Sequence, residues 1–353
     1  MNRRLTGGLL SALGILLVIG GLVLMLAIVP GLKKMPDDTD VTRTYQGTMN
    51  VTLNPQTFQF MNNLPIEVVR HFKVDAVDGN VALVKEERSM TSGGQPLQQI
   101  VSNYAVDRKT MMATDSFPSS WKGKEGFWPR EGIVLSWPIG TEKKDYTGWS
   151  DDYRATVTLK FEGEVTHERS GMKTYLFKSS SGPKPIVAEQ VKVMGLPMEL
   201  PKAQLAALIG QADLGALGAL VKDQLPQLLA AWAQLTVPLE YYYEYEGEYW
   251  IDPTTGVMID TKKHELRKVG LGETFISQTP LAMLPEAQRA ALRVAVSDFE
   301  YLTTDKSVQD AKDSAKDTGG KLKLFGTTLP IVLIIVGLVL GAGGGFLSIR
   351  KTS

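Results

Sequence analysis

Cysteine is absent from this sequence of 353 residues, and only three histidines are present. Attachment of a lipid to an N-terminal cysteine is therefore excluded. A chain this long can bury a core without disulfides, whereas exported animal domains usually contain them, so a cysteine-free exported chain indicates a bacterial protein. The histidines, His71, His167 and His264, show no metal-ligand spacing.

Sequence motifs of catalysis and nucleotide binding are also missing. The chain has no Gly-x-Ser-x-Gly elbow, no P-loop and no Gly-x-Gly-x-x-Gly. We therefore expect no enzyme, no catalytic residue, no metal site and no cofactor. An envelope hydrolase ranks third among the functions considered, because folding can bring distant residues together.

Excess charge of either sign is lacking, since 38 basic residues balance 38 acidic ones. A chain without net positive charge has no long-range attraction for nucleic acid, which is therefore not expected as a partner.

Long charge-free apolar runs are present at both ends, at Leu5–Leu32 and at residues 324–349. A bilayer needs about 20 apolar helical residues, so each run predicts a transmembrane helix. The alternative for the first run is a cleaved signal, whose apolar centre is usually about 7 to 15 residues. Basic residues in tails 1–4 and 350–353 predict cytoplasmic termini. Residues 33–323, called the body below, would then face outward from the plasma membrane.

The body shows short stretches that alternate apolar and polar residues, for example at positions 81–88 and 155–161. Such alternation is typical of antiparallel strands. The predicted fold is a membrane-anchored α+β protein with a mostly antiparallel β body, a two-helix apolar insertion and a transmembrane helix at each end. One domain and two subdomains remain alternatives.

Residues 203–235 form the predicted helical insertion, because they are rich in alanine and leucine and carry few charges. Helices this apolar either pack onto the sheet or act as a mobile element that touches lipid. The candidate lipid-binding residues are Leu208, Ile209, Leu217, Leu220, Leu225, Leu228 and Trp232.

Four of the six tryptophans lie between residues 121 and 149, among glycines, prolines and lysines. Aromatic rings on polar loops suit stacking against sugars, although tryptophan is more often a buried anchor. The candidate glycan-binding residues are Trp121, Trp128, Trp137 and Trp149.

A strand at residues 239–251 alternates tyrosines with glutamates, and a turn at 252–256 predicts a hairpin. Basic residues of the returning strand, Lys262, Lys263, Arg267 and Lys268, are expected to face Glu244, Glu246 and Glu248 as cross-strand pairs.

The approach to the second apolar run, residues 299–318, has mixed charges at helical spacing and predicts a polar juxtamembrane helix. In that run Gly337, Gly341 and Gly345 repeat every four residues and give a smooth face for close helix packing. We expect this face to meet Gly14 of the first run, with self-association as the alternative.

The order of these features resembles a two-span actinobacterial membrane protein family of unknown function that is often labelled PorA-like, the porin PorA family. The resemblance rests on residues 42–47 (TRTYQG), 137–146 (WPIGTEKKDY) and 250–256 (WIDPTTG), between two terminal spans. It implies a protein of a lipid-rich bacterial cell envelope.

The predicted function is that of a cell-envelope membrane protein that binds or passes a lipid or another apolar envelope molecule. The alternative is a glycan-contacting or structural scaffold. Expected partners are membrane lipids and an envelope lipid or glycan; a homo-oligomer or a larger membrane complex is the alternative assembly.

Overall fold

The computed structural model describes residues 3–54, 57, 59–211 and 215–349. Helices occupy both ends of the chain and the connections of a large antiparallel sheet. The helices are α1 (Arg3–Val23), α2 (Val29–Leu32), α3 (Ala188–Val193), α4 (Lys202–Gln211), α5 (Gly215–Ala231), α6 (Glu273–Ser277), α7 (Glu286–Ala291), α8 (Asp305–Lys323) and α9 (Leu329–Ile349). Single π-helical turns, Leu24–Ile28 and Leu324–Thr328, join α1 to α2 and α8 to α9.

Eleven strands form the sheet within the described part of the chain. They are β1 (Asp40–Leu53), β2 (Phe60–Asp78), β3 (Val81–Ser92), β4 (Gln95–Asp107), β5 (Tyr146–Ser150), β6 (Ala155–Thr166), β7 (Lys173–Pro185), β8 (Glu199–Pro201), β9 (Thr236–Ile251), β10 (Met258–Leu271) and β11 (Val294–Thr303). Their order is β4-β3-β2-β1-β11-β10-β9-β7-β6-β5, and β8 pairs with β9. Every pair of neighbours is antiparallel, as the alternating sequence pattern predicts.

The first and last strands of the chain are neighbours in the middle of the sheet. Tyr45 of β1 lies opposite Thr303 of β11, and the two strands run antiparallel. The two ends of the body therefore emerge side by side, beside the terminal apolar helices.

The terminal helices α1 and α9 pack against each other through glycine. A methyl group on Gly14 would lie 2.5 Å from the Gly341 nitrogen, and one on Gly344 would lie 2.5 Å from the Gly7 oxygen. The Ser11 hydroxyl donates to the Gly341 carbonyl at 3.3 Å. Backbones this close require residues without a Cβ, as in small-residue helix pairs of membranes.

Two of the predicted contact glycines differ from Gly337: nothing lies within 4 Å of the position that a Cβ on Gly341 or Gly345 would take, although the Gly341 backbone contacts Gly14. A Cβ on Gly344 would meet the first helix instead. The reason is helical geometry. At about 100° per residue, a four-residue repeat drifts about 40° at each step, whereas positions 337 and 344, seven residues apart, differ by only about 20° and share one face.

The polar helix predicted at residues 299–318 begins later than expected. Residues 299–303 belong to β11, and α8 begins at Asp305, where the Thr304 side chain accepts a hydrogen bond from the Ser307 N–H. The threonine cap fixes this start because it satisfies a backbone donor that has no partner inside the helix. The helix then continues through Gly319 and Gly320 to Lys323.

Helices α4 and α5 occupy the apolar segment predicted at residues 203–235 and pack onto the sheet. Their buried side chains share one core cluster with Tyr241 of β9, Val269 of β10 and Val294 of β11. Burial of this apolar surface explains why the segment carries so few charges.

Candidate functional site

A cavity of about 200 Å³ lies between the sheet and the segment of residues 130–152. Its walls come from β1, β2 and β3 on one side, and from β9, β10 and β11 on the other. A single water needs about 10–15 Å³ by a comparable measure, so the cavity holds several waters or a small polar group.

The segment that covers the cavity is held in place by the turn between β9 and β10. The Trp137 N–H donates to the Gly256 carbonyl at 3.2 Å, and the Gly140 N–H donates to the Thr254 carbonyl at 3.2 Å. Gly256 has φ +73° and faces backbone atoms of Trp137 and Pro138, so a side chain there would be both strained and obstructed. Two of the motifs that carry the family resemblance therefore contact each other.

A buried carboxylate, Glu86 of β3, organises one wall. It accepts two hydrogen bonds from Arg70, at 2.7 and 3.0 Å, and a third from the Tyr104 hydroxyl at 2.8 Å. Burial alone would raise the pKa of Glu86, but Arg70 outweighs burial and lowers that pKa to about 2. Arg130 also contacts Glu86, at 3.9 Å, and pairs with Asp151 at 3.0 Å.

A second ion cluster lies on β10. Arg267 donates to Asp152 at 3.0 to 3.2 Å and to Glu265 at 3.0 Å. Glu265 also accepts from Lys263 at 2.9 Å and from the Tyr301 hydroxyl at 2.9 Å. Burial would raise the pKa of Glu265, yet the charges of Lys263 and Arg267 hold it well below its usual range.

Arg88 differs from the other cations around the cavity. It is half-buried, lines the cavity and lies directly opposite Arg70 in the β2–β3 register. Among the described residues it makes no hydrogen bond and no ion pair. Burial would lower its pKa, but the more distant carboxylates Glu265, Glu86 and Asp151 outweigh burial and raise it, so Arg88 is a permanent charge.

Aromatic rings complete the walls of the cavity. The lining aromatic residues are Tyr45, Trp137, Trp149, Tyr243, Tyr245, Tyr249 and Tyr301. Lys263 lies 5.0 Å from the ring centre of Tyr245, a cation–π distance. The buried Trp137 indole N–H has no acceptor among the described residues. The site thus combines flat apolar surfaces with hydrogen-bond donors.

The four tryptophans proposed for glycan binding do not form one surface. Trp121 is buried on the other face of the sheet beside Leu83, whereas Trp137 and Trp149 line the cavity. Trp128 is 41% exposed and stacks on the Arg154 guanidinium at 3.5 Å. Of the four, only Trp128 presents substantial ring area to solvent, while Trp137 and Trp149 share the wall of the cavity.

The residues proposed for lipid binding lie mainly in the core. The buried ones are Leu208, Ile209, Leu225, Leu228 and Trp232. The side chains of Leu217 and Leu220 lie outside the described part of the structure. In this conformation α4 and α5 cover the sheet, and contact between the five buried side chains and a lipid requires the helices to move.

Two basic residues of the β9–β10 hairpin point the opposite way from the prediction. Lys268 pairs with Glu244 at 3.0 Å on the outer face, as expected. Lys263 and Arg267 instead face inward and pair with Glu265. Successive strand residues alternate between faces, so odd-numbered positions of β10 cannot meet the outward glutamates.

A histidine, an aspartate and a serine also meet, at His167, Asp260 and Ser170. The imidazole contacts Asp260 at 3.0 Å and Ser170 at 2.9 Å, but all three side chains are buried and line no cavity described here. Arg169 joins Asp260 to Asp305 of α8, at 2.7 Å to each. The group therefore fastens the β6–β7 turn to α8. No metal-binding cluster of acidic or histidine side chains occurs in the described residues.

Sequence reasoning missed the ion clusters around the cavity, although a signal was present. Along β3 the inward positions read Ala82, Val84, Glu86, Arg88 and Met90, so two charges interrupt an apolar face. Charged residues are almost never buried unless paired, and such an interruption indicates a polar interior site.

Comparison with known proteins matches nearly the whole chain to one family. The family model described as Porin PorA matches residues 6–346. A relative named Porin PorA, from Corynebacterium resistens (strain DSM 45100 / JCM 12819 / GTC 2026 / SICGH 158), is 24% identical over 280 residues, which cover 71% of this chain and 66% of the relative. The match thus spans slightly less than two thirds of that relative's length.

Among solved structures, a MaoC domain protein dehydratase from Chloroflexus aurantiacus J-10-fl aligns over 83% of this chain and 81% of its own. The identity is 12% and the TM-score is 0.12, so this alignment carries no argument about fold or function.

Proposed function

Because the chain belongs to the porin PorA family, it is a membrane protein of the cell envelope, and we propose that its body binds a lipid of that envelope. The observation that carries the proposal is the cavity under residues 130–152, whose walls combine aromatic rings with charged donors. Such a lining suits the polar head of an amphiphile.

The surroundings of the cavity provide a place for the apolar part of the ligand. Tyr243 and Tyr245 line the cavity and also belong to the core cluster beneath α4 and α5. Movement of those helices would expose a continuous apolar surface that begins at the cavity. The helices then act as the entrance, and Leu208, Leu225 and Trp232 contact the acyl chains.

The two apolar terminal helices support a position of this cavity near a bilayer. Both Leu5–Leu32 and the apolar part of Asp305–Ile349 are long enough to cross a membrane. We propose that both termini are cytoplasmic and that the body lies outside the plasma membrane. The reason is that basic residues follow each span on the side of the chain terminus, in the tails 1–4 and 350–353, and such residues stay on the cytoplasmic side. The ligand would then reach the cavity from the outer leaflet.

A pore is the alternative that the relative's name suggests, and it makes different demands on this structure. Helices α1 and α9 contact each other directly along their glycines, which we call the glycine seam, so this pair of helices in one copy of the chain encloses no channel. A pore would therefore need several copies of the chain. Conductance across a planar bilayer containing the purified chain tests this alternative directly.

The experiment is native mass spectrometry with lipid extraction on the full chain, purified in detergent from an actinobacterial host. We expect a lipid that is released only on unfolding. Val68 lines the cavity, whereas Val69 points to the other face, so Val68→Trp should lose the lipid while Val69→Trp retains it. Circular dichroism confirms that both variants fold. Retention of no lipid by the parent protein, or equal retention by both variants, contradicts the proposal.

A further inference from the structure

The charges that surround the cavity do not balance in contact pairs. Each of the four carboxylates, Glu86, Asp151, Asp152 and Glu265, is bonded to at least one cation. Arg70, Arg130, Arg267 and Lys263 supply those bonds. Arg88 is the fifth cation and has no such contact among the described residues. The lining residues, together with Glu265 and Arg267 that bond to them, therefore hold one cation more than they hold carboxylates.

The buried side-chain atoms of the wall that lack a hydrogen-bond partner are all of one kind. The lining residues with an unpartnered buried polar atom are Arg130, through Nε, and Trp137, through Nε1. Both atoms are N–H donors. Those two nitrogens are closed off from solvent by neighbouring atoms, whereas Arg88 is half-buried and faces the cavity. The wall therefore presents an unpaired cation beside two unpartnered donors.

The neighbours of Arg88 cannot turn to satisfy it without breaking other bonds. Arg70, directly across the strand pair, carries the same charge, and it occupies both oxygens of Glu86. Glu265 is already bonded to Lys263, Arg267 and Tyr301. Like charges opposite each other on a sheet are destabilising, which makes an unpaired arginine at this position costly unless a ligand uses it.

We propose that Arg88 binds an oxyanionic group, a phosphate or a carboxylate, that enters the cavity from outside the protein. A guanidinium presents a planar fork of donors that matches such oxygens in a bidentate manner. The cavity volume of about 200 Å³ accommodates a group of this size. The inference rests on the proposed function for its ligand, since the oxyanion is there the head group of the bound lipid.

The test measures thermal unfolding of the full chain in a non-ionic detergent during titration with three probes. Inorganic phosphate represents a free anion, dihexanoyl phosphatidic acid represents an anionic head group with acyl chains, and dihexanoylglycerol lacks the anion. We expect phosphatidic acid to stabilise the protein and the neutral glyceride to have little effect.

Substitutions at Arg88 distinguish the contribution of its charge from that of its guanidinium geometry, and a control on the same strand tests for general effects on folding. Arg88→Gln should weaken phosphatidic acid binding at least about tenfold, because it removes a charge-assisted bidentate pair. Arg88→Lys keeps the charge without the fork and should retain part of the affinity. Lys85→Gln, on the outward face of the same strand, should bind as the parent does.

The outcomes distinguish this inference from the proposed function. Lipid retention that is equal in the parent and in Arg88→Gln overturns the role of Arg88 but leaves lipid binding in place. Arg88-dependent binding of inorganic phosphate without any retained lipid supports the anion site and contradicts lipid as its source. If no anionic probe shifts the unfolding temperature, the inference is wrong.

Discussion

The substitution Gly14→Ile should separate the two terminal helices. Adding only a methyl group at Gly14 would place a carbon 2.5 Å from the Gly341 nitrogen. Ordinary contact between such atoms is about 3.5 Å, so the helices must move apart by about 1 Å locally. A gap of that size forfeits about a quarter to a half of the dispersion energy across the seam, and overpacking typically costs about 1–3 kcal/mol.

The absence of cysteine makes this prediction simple to measure. Spin labels on cysteines introduced at Leu5 and Ile349, both exposed and near the two chain ends, report the helix separation in nanodiscs by pulsed electron resonance. We expect a narrow, short distance in the parent protein and a longer, broader one in Gly14→Ile.

The matched control is Gly20→Ile on the same helix, because nothing lies within 4 Å of the position of a Cβ there. This variant should keep the parental distance and the parental unfolding temperature. If Gly14→Ile and Gly20→Ile behave alike, the reasoning from the glycine seam is wrong.

Three further predictions concern the buried charges. Glu86→Gln should lower the free energy of unfolding by about 3–5 kcal/mol in urea titrations, because it leaves Arg70 without its buried partner, whereas Glu87→Gln at an exposed pair should cost under about 1 kcal/mol. Folding lowers the pKa of Glu86 from 4.5 to about 2, so the ionised carboxylate stabilises the folded protein fully above pH 4.5 and loses this effect as the pH falls toward 2. The urea midpoint of the parent protein should therefore fall over this pH range more steeply than that of Glu86→Gln. Asp260→Ala should lower the free energy of unfolding by about 3 kcal/mol, because His167 and Arg169 lose their shared carboxylate. Asp305→Ala should lower it by less than about 1 kcal/mol, because the Asp305 side chain is 93% exposed. Equal effects of the two substitutions would contradict the role given to Asp260.

The general architecture was accessible from the sequence because its physical causes are local. Alternation over residues 81–88 predicts a strand, and an antiparallel sheet with two terminal apolar helices is what the structure contains. The start of α8 was harder to predict, since residues 299–303 (FEYLT) run without a Gly or Pro break into the mixed charges of residues 305–317. Their strand pairing with β1 is a contact between residues about 250 positions apart, which no local window detects.

The site was not predicted because its residues come together only through the sheet. Arg70 and Glu86 are on adjacent strands, but Asp152 and Arg267 come from distant parts of the chain. The β10 charges were assigned to the wrong face for a similar reason: the composition Lys262-Lys263 does not reveal which of two neighbours points inward. The strand register decides it.

The central position of β11 has a consequence for how the protein is made. Strands β1 to β4 emerge first during synthesis, and the edge of β1 stays open until β11, the last strand before the second apolar helix, arrives between it and β10. An open strand edge is prone to wrong pairing. The two halves of the sheet, β4 to β1 and β10 to β5, are therefore joined only when translation is nearly finished. A chain that stalls before residue 294 leaves both halves with an unpaired edge, which exposes it to chaperones and proteases.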